Sequence, residues 1–366
     1  MRFGLAPVLL LAAFPAVAAE IVIGQSAPLS GSNAELGNDI RNGALAYFKK
    51  VNDTGGLPQG KIRFVTLDDK NQTKLSEENT KKLVNEERVV ALFGYASSTL
   101  SIPAMPTVAQ MKVPFFAPFT GADTIRKQND YVYTVRSSYA DEIGKIVNFW
   151  GNLGSTRVAV LHYDDKVGKE NYDTVAQALK KFGSTPTSIA VKRNTDVAAE
   201  QVKQVLDANP NVLLVTTSYA PAAQLVKQLK GSGKQYMVTS LSFAGASQLG
   251  KALGPDATGV SVAIDVPAPR AQTIPVVHEC TEAWAAAGQK EPMSVTAMES
   301  CIAAKVLVEG MRHAGKEVTR ASLQHSLDGL GRYDAGGYVV QFKPGSHYSG
   351  TFVSIALLTP SGEVRE

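Results

Sequence analysis

Two short segments of the sequence combine hydroxyl side chains with glycine, and each directly follows an apolar run. They are Gly94-Tyr95-Ala96-Ser97-Ser98-Thr99, after residues 89–93, and Pro118-Phe119-Thr120-Gly121-Ala122, after Phe115-Phe116. Hydroxyl and free backbone N–H groups at the start of a helix bind anions, and doubly wound sheets bind ligands beyond the carboxyl ends of their strands. Together the two segments predict a site for a carboxylate, whereas ordinary helix capping explains either one alone.

Other reactive residue types do not form an enzyme motif in this sequence. It has no G-x-S-x-G turn, no G-x-x-x-x-G-K-[ST] loop and no G-x-G-x-x-G after the first apolar run. His278 opens a segment that begins like a zinc-binding helix but lacks the second histidine. The pairs Asp68-Asp69 and Asp164-Asp165 end two predicted strands, where acid–base chemistry and helix capping are both open. We therefore predict a protein that is not an enzyme and uses no metal and no cofactor.

The composition is that of an ordinary globular protein. The chain has 366 residues, of which 44% are hydrophobic and 19% charged, and this length favours two domains. The net charge is 37 − 33 = +4, and the basic residues are scattered, which argues against a nucleic-acid partner. Cys280 and Cys301 lie on two consecutive predicted helices, and the sequence leaves open whether they form a disulfide.

The first nineteen residues have the pattern of a secretory signal peptide. Arg2 supplies a positive charge, residues 8–14 form an apolar run too short to span a bilayer, and Ala16-Val17-Ala18 is a small-residue cleavage pattern. Cleavage after Ala18 and cleavage after Ala19 both fit this pattern. We expect residues 1–19 to be removed and the mature protein to act in the periplasm.

Strand-like and helix-like segments alternate along the rest of the chain and must position the candidate residues. Apolar runs such as 62–67, 158–161 and 212–215 are each followed by small or polar residues and then by a helical pattern. Repeated strand–helix units predict parallel sheets covered on both faces, and about twelve strands are too many for one such sheet. We therefore predict two sheets. Residues 338–342 and 352–358 predict a hairpin-like ending.

Six segments follow, in order, the pattern of one known family. They are IGQSAPLSGSNAELGNDIRNGALAYFKKVNDTGG, LFGYASST, VPFFAPFTGADTIR, YTVRSSYADE, VAVLHYDDKVGK and AAKVLVEGMRHAG. The chain resembles the periplasmic solute-binding proteins of branched-chain amino acid ABC transporters, the leucine/isoleucine/valine-binding type, from about residue 20 to 362. The resemblance implies an α/β fold with two doubly wound parallel-sheet lobes and a three-crossing hinge. Lobe 1 would comprise residues 20–136 plus 267–340, and lobe 2 residues 137–266 plus 341–366.

The resemblance also implies a set of ligand-binding residues. The positions that hold the ligand carboxylate in this family fall on the two hydroxyl segments already described. Tyr139 and Tyr219 fall at cleft positions of lobe 2, although ordinary core aromatics are the alternative. The full predicted set is Tyr95, Ser97, Ser98, Thr99, Phe119, Thr120, Gly121, Tyr139, Tyr219, Leu241 and Ser242.

Departures from the family pattern bear on the ligand. Amino-acid binders of the family often carry a glutamate in the loop that here reads Thr239-Ser240-Leu241-Ser242-Phe243, without an acid. Leu36, Val167 and Cys301 stand where the family has aromatics. A buried ammonium without a carboxylate partner is costly. Asp165, or Asp141 with Glu142, is an alternative partner, so an amino acid and an organic acid without an ammonium both remain open.

The resemblance implies a non-enzymatic binding protein that closes on a small solute. Its partner would be a membrane ABC permease, and the protein would be a monomer without a cofactor. The same fold can instead present its closed form to a receptor or kinase, and the sequence does not separate transport from sensing.

Overall fold

The computed structural model describes residues 20–31, 33–126 and 130–366. The predicted signal peptide, residues 1–19, lies outside these described residues. The strands are β1 Glu20–Ala27, β2 Lys61–Asp68, β3 Ala91–Phe93, β4 Phe115–Phe116, β5 Val132–Tyr133, β6 Val158–Tyr163, β7 Thr187–Val191, β8 Val212–Val215, β9 Met237–Ser240, β10 Val260–Ile264, β11 Gly331–Asp334, β12 Val339–Phe342, β13 Ser354–Leu358 and β14 Val364–Arg365. The helices are α1 Ala34–Asp53, α2 Thr73–Asn85, α3 Ser98–Ser101, α4 Met105–Met111, α5 Asp123–Arg126, α6 Tyr139–Asn152, α7 Lys166–Leu179, α8 Ala199–Ala208, α9 Tyr219–Lys230, α10 Ala246–Leu253, α11 Pro275–Ala286, α12 Val295–Arg312 and α13 Arg320–Asp328.

The strands form two main sheets that share one order of parallel strands. The first sheet runs β2-β1-β3-β4-β5, and all its pairs are parallel. In the second sheet, β7-β6-β8-β9-β10 are parallel and repeat that order, while β13 and β14 add antiparallel strands beside β10. Each sheet is the centre of one doubly wound lobe, which confirms the predicted fold class.

Helix α1 shows how the sequence places helices on a sheet. Its buried side chains Leu36, Ile40, Ala44, Phe48 and Val51 recur every three to four residues, which is the spacing of one helix face. Leu45 is 42% exposed and lies off this face. The reason is that position 44, not 45, continues the spacing from Ile40 to Phe48.

The predicted hairpin-like ending is wrong. Strand β12 pairs with β11 in a separate two-stranded sheet, while β13 pairs with β10 in the second main sheet. The ring of Phe342 in β12 lies 6.1 Å from that of Phe116 and 5.5 Å from that of Tyr133, both in the first sheet. On these contacts we propose that lobe 1 extends to about residue 350 instead of 340, with the chain from β13 onward in lobe 2.

The three segments that pass between the lobes meet at one place. The Tyr338 phenol oxygen lies 2.8 Å from the carbonyl oxygen of Val135 and 3.1 Å from that of Asp265, which links the first two crossings. Gly350 packs directly on the first crossing, since a Cβ at this position would lie 2.0 Å from the carbonyl carbon of Arg136. Only glycine allows such a close approach, so the third crossing is held against the first.

A disulfide joins two helices of lobe 1. Cys280 in α11 and Cys301 in α12 are bonded, with their Cα atoms 6.0 Å apart, and both are fully buried. The pairing that the sequence left open is therefore settled. Among the described residues, no helix combines the length and the apolar character needed to cross a membrane.

Candidate ligand-binding site

The carboxyl ends of strands from both sheets surround one cavity. Ser98 reaches it after β3 of lobe 1, while Tyr163, Arg193, Thr216 and Phe243 reach it from the ends of β6, β7, β8 and β9 in lobe 2. Doubly wound sheets bind ligands at this position. The cavity has an accessible volume of about 10 Å³ in this arrangement, so a solute would have to widen it; it is lined by Ser98, Tyr139, Tyr163, Val167, Gly168, Asn171, Arg193, Thr216 and Phe243.

Ser98 forms the lobe 1 wall of this cavity, and its hydroxyl meets that of a second predicted residue, Thr120. Ser98 Oγ lies 2.7 Å from Thr120 Oγ1, and both side chains are buried. Thr120 Oγ1 also accepts a hydrogen bond from the backbone N–H of Ala122 at 3.1 Å. The Thr120 hydroxyl also hydrogen-bonds the Tyr139 phenol, so its proton is shared among Ser98, that phenol oxygen and a ligand oxygen. The two hydroxyl segments therefore converge on one point.

Tyr139 reaches the same place from lobe 2. It is the first residue of α6, and its backbone N–H donates to the carbonyl oxygen of Gly121 at 3.0 Å. A Cβ at Gly121 would lie 2.6 Å from that nitrogen, so a side chain there would separate the two segments. Burial raises the pKa of the Tyr139 phenol to about 12, against the opposing charge of Arg136 and a hydrogen bond with Thr120. The phenol is therefore a neutral hydrogen-bonding group at neutral pH.

Three other predicted residues of the first hydroxyl segment lie off the cavity. Ser97 Oγ accepts a hydrogen bond from the backbone N–H of Leu100 at 3.2 Å and caps α3. For this residue, helix capping and not ligand binding explains the hydroxyl. The Tyr95 phenol lies in the lobe 1 core, 2.9 Å from Thr80 Oγ1. Thr99 is half-buried and does not line the cavity. Only Ser98 of this segment contributes its side chain.

The remaining predicted residues support the cavity from outside it. The ring of Phe119 lies 4.2 Å from the Arg136 guanidinium. Tyr219 is half-buried at the start of α9, and Leu241 is fully buried in the lobe 2 core. Ser242 is bonded to neighbouring charged groups described below. In place of Leu241 and Ser242, the next residue of that loop, Phe243, faces the cavity, with its ring 6.3 Å from that of Tyr139.

Arg193 is a charged residue of the cavity that the sequence analysis missed. Its Nε donates to Asp165 Oδ2 at 2.5 Å, and its guanidinium lies 3.8 Å from the centre of the Tyr163 ring. Asp165 Oδ1 accepts the backbone N–H of Gly168 at 2.9 Å and so caps α7. Arg193 and Thr216 each follow a strand within two residues, so the strand-end rule used for the hydroxyl segments would have found them.

The paired aspartates serve structural roles. Asp68 Oδ1 accepts backbone N–H groups of Leu29 and Lys70, both at 2.9 Å, and Asp69 Oδ2 accepts the hydroxyl of Ser26 at 2.9 Å. Asp165 is the cap of α7. These contacts fix loops and cap a helix, which is the structural alternative to acid–base chemistry that the sequence left open. Within residues 20–31, 33–126 and 130–366, no three His, Cys, Asp or Glu side chains are grouped so that they could hold a metal ion.

Buried charges lie where the chain crosses between the lobes. Arg136 donates to Asp265 and to Ser242 Oγ, both at 2.6 Å, and lies 3.3 Å from Glu299. Glu142 accepts the backbone N–H of Ser242 at 2.8 Å and its hydroxyl at 2.7 Å. All five residues are buried, and we call them the hinge cluster. Glu142 is thus committed to Ser242 and does not line the cavity.

The family model described as "Periplasmic binding protein" matches residues 20–351, most of the chain. The chain belongs to the periplasmic binding protein family. The position of the cavity between the two sheets is consistent with membership.

Solved structures match this periplasmic binding protein over nearly its whole fold, whereas curated sequences match it over only part of the chain. A substrate-binding periplasmic protein from Ralstonia solanacearum is 32% identical, with a TM-score of 0.89 over 94% of this chain and 99% of that one. A possible leucine/isoleucine/valine-binding protein from Rhodopirellula baltica is 26% identical, with a TM-score of 0.91 over 97% and 98%. The Leu/Ile/Val-binding protein homolog 2 of Brucella abortus is 29% identical over 172 residues, 46% of each chain. This chain thus spans less than half the length of the curated relatives that it matches. The resemblance to the leucine/isoleucine/valine-binding type is confirmed.

The two lobes of the binding protein also touch at separate places around the cavity. Gln248 Nε2 in α10 donates to Asp39 Oδ2 in α1 at 2.7 Å. Thr124 Oγ1 in α5 donates to Glu170 Oε2 in α7 at 2.9 Å. Each of these bonds joins elements of different lobes, so opening the cleft would break them. They hold the two lobes together in this structure.

The stability of the binding protein is expected to fall as the pH rises from about 4.5 to about 7. Burial raises the pKa of Glu142 from 4.5 to about 7, although the charge of Arg136 opposes the shift. Over this interval the carboxyl stays protonated in the folded state and ionises in the unfolded chain, so ionisation favours unfolding. Below 4.5 both states are protonated, and above about 7 the loss is complete.

Glu142→Gln tests this pH dependence. The substitution should flatten the fall in unfolding midpoint across that interval, whereas the surface substitution Glu77→Gln should leave it as in the wild type. Thermal unfolding followed by circular dichroism at several pH values measures all three proteins. A slope in Glu142→Gln equal to the wild-type slope would contradict the prediction.

Proposed function

We propose that this periplasmic binding protein captures a small carboxylate-bearing solute between its lobes and delivers it to an ABC importer. The observation that carries the proposal is the pair of hydroxyls, Ser98 at the cavity wall and the buried Thr120 beside it, 2.7 Å apart. A hydrogen bond to a carboxylate contributes about 1.5–3 kcal/mol. The family resemblance supports the importer as the partner, and it supports action as a monomer in the periplasm after removal of the signal peptide.

Closure of the lobes supplies the other wall of the site. Tyr139 and Phe243 come from lobe 2 and face the hydroxyl pair of lobe 1. A solute that contacts both walls binds the closed form better than an open one and shifts the population towards it. The closed form, with its contacts between α1 and α10, is then the form that the importer would recognise.

Removing both hydroxyls should weaken binding by more than tenfold. In a Ser98→Ala, Thr120→Val protein the ligand carboxylate keeps its charge but loses two donors in a buried site, and each such loss costs about 1.5–3 kcal/mol. Isothermal titration calorimetry with the carboxylate that binds the wild type most tightly measures the change. An unchanged dissociation constant would contradict the proposal.

Tyr95→Phe is the matched control for that experiment. It removes a hydroxyl from the same segment, but this phenol lies in the lobe 1 core beside Thr80. We expect its unfolding midpoint to fall slightly and its affinity to stay at the wild-type value. An equal loss of affinity in the control would show that the double variant acts through folding of the segment.

A thermal-shift screen tests the ligand class. It would compare amino acids, aliphatic carboxylates, aromatic acids and the corresponding amides. A ligand present at 100 times its dissociation constant stabilises the folded state by about 2.7 kcal/mol, which such a screen detects. Stabilisation by amides but not by their acids would reject a carboxylate ligand. Loss of uptake of the labelled acid in a strain without this protein tests delivery to an importer.

A further inference from the structure

Among the described residues that line the cavity, the charged group is a cation, Arg193, whose ion-pair partner Asp165 lies outside the lining. Of the residues that line it, Arg193 carries a full positive charge, and the described lining residues include no aspartate or glutamate. The other lining side chains are hydroxyl, amide, aromatic or aliphatic groups. A ligand enclosed here therefore meets a cation and neutral hydrogen-bonding groups.

Arg193 is held in place by two residues, one of which is itself fixed by a hydrogen bond. Asp165 accepts its Nε, the ring of Tyr163 lies against its guanidinium face, and the Tyr163 phenol is itself 2.8 Å from Ser218 Oγ. The side chain is 23% exposed, so it is neither fully buried nor free in solvent. Because the ion pair uses Nε, the two terminal nitrogens of the guanidinium remain able to donate to a ligand oxygen.

The acids that the sequence analysis offered as partners for a ligand ammonium bind other groups. Asp165 uses Oδ2 for Arg193 and Oδ1 for the backbone N–H of Gly168. Asp141 Oδ2 accepts the backbone N–H and the hydroxyl of Ser138 at the start of α6. Glu142 is bonded to Ser242 in the hinge cluster. The three acids that the sequence offered as partners for a ligand ammonium are thus already engaged.

An ammonium in this cavity would lose its hydration without gaining a carboxylate. Burying an unpaired charge is strongly unfavourable, and the nearby guanidinium adds like-charge repulsion. A carboxylate has the opposite balance, since hydroxyls at one wall and a guanidinium at another both donate to it. The aromatic rings of Tyr139, Tyr163 and Phe243 provide apolar surface for the carbon skeleton.

We propose that Arg193 is a ligand-binding residue and that the ligand is an organic acid without an ammonium group. This inference rests on the proposed function and adds to it the ligand class and the residue that selects it. Asp165 and Tyr163 are positioning residues that hold the guanidinium against the cavity.

The experiment uses pairs of carboxylic acids that differ only in an amino group. Leucine is compared with 4-methylpentanoate, phenylalanine with 3-phenylpropanoate, and further pairs cover straight-chain skeletons. Calorimetric titrations would be made with the wild type, Arg193→Gln, Arg193→Lys and, as the matched control, Arg157→Gln. Arg157 lies in the same lobe, immediately before the amino end of β6, and donates to the carbonyl oxygen of Asn209, so its loss changes the net charge equally.

The expected result has two parts. The wild type binds at least one acid more than tenfold tighter than the amino acid of the same skeleton. Arg193→Gln weakens binding of that acid about tenfold or more, Arg193→Lys restores part of the affinity, and Arg157→Gln leaves it unchanged. Unfolding midpoints of the variants near the wild-type value would show that the loss is local.

Two other outcomes are distinguishable. If an amino acid binds tightly and its amino-free partner does not, the inference is wrong while the proposed function stands. Acid binding that is insensitive to Arg193→Gln removes Arg193 from the site but leaves the ligand class intact. If no acid or amino acid of the panel binds, the proposed function and the inference fail together.

Discussion

Replacing Arg136 with methionine is expected to lower the free energy of unfolding by about 3–5 kcal/mol. Arg136 is 1% exposed and is surrounded by three buried carboxyl groups, those of Asp265, Glu299 and Glu142. Without the guanidinium these groups lose the cation that compensates their burial. They must then become protonated or draw water into the hinge, and either change favours the unfolded chain.

Urea denaturation measures this loss, and Arg320→Met is its matched control. Arg320 donates to the carbonyl oxygens of Val84 and Val89 at 2.8 and 2.9 Å, but no carboxylate is described as its partner. Replacing Arg320 removes hydrogen bonds but leaves no buried carboxylate without a cation. The loss of unfolding free energy should therefore be clearly smaller than in Arg136→Met.

A compensated variant makes the electrostatic argument sharper. Arg136→Met combined with Asp265→Asn and Glu299→Gln should recover much of the lost stability, since the neutralised groups no longer need a cation. A loss of unfolding free energy in Arg136→Met no larger than that in Arg320→Met would contradict the prediction. So would a triple variant less stable than the single one.

Removing the disulfide is expected to lower stability by about 3 kcal/mol. Cys280 and Cys301 are 21 residues apart in sequence, and the bond restricts this loop in the unfolded chain. Cys280→Ala with Cys301→Ala removes it and leaves no thiol behind, since the sequence has two cysteines. The urea midpoint of the wild type measured with reductant should approach that of the double variant, whereas reductant should not change the variant. Equal midpoints for oxidised and reduced wild type would contradict this prediction.

The sequence predicts the two sheets and the general position of the site well. Alternation of apolar runs with amphipathic segments is a local property, and strand ends in parallel sheets follow from it. Ser98 and Thr120 were predicted on this basis and Tyr139 from the family resemblance; Ser98 and Tyr139 line the cavity, and Thr120 contacts Ser98. The pairing of β12 with β11, and of β13 with β10, depends on contacts between distant segments. No local pattern distinguishes these pairs from a hairpin.

Within the site, the sequence could not distinguish neighbouring residues. Tyr95, Ser97 and Ser98 belong to one segment, yet their side chains point into the core, back to α3 and into the cavity. The outcome depends on the backbone direction at each residue, which composition and spacing do not specify. Leu241 and Ser242 were likewise chosen where the next residue, Phe243, faces the cavity. Asn171 on α7 carries no local signal at all.

Each lobe is built from segments that lie far apart in the sequence, and this affects how the chain folds. The first sheet is complete by β5, but α1 packs against α11 and α12, which come more than two hundred residues later. In the second sheet, the edge of β10 is covered by β13, which lies about ninety residues later in the sequence. Contacts of such large sequence separation form slowly. Whichever end of the chain becomes available for folding first, neither lobe can be completed until nearly all of the chain is available. The apolar surface of the incomplete lobes needs protection during that time.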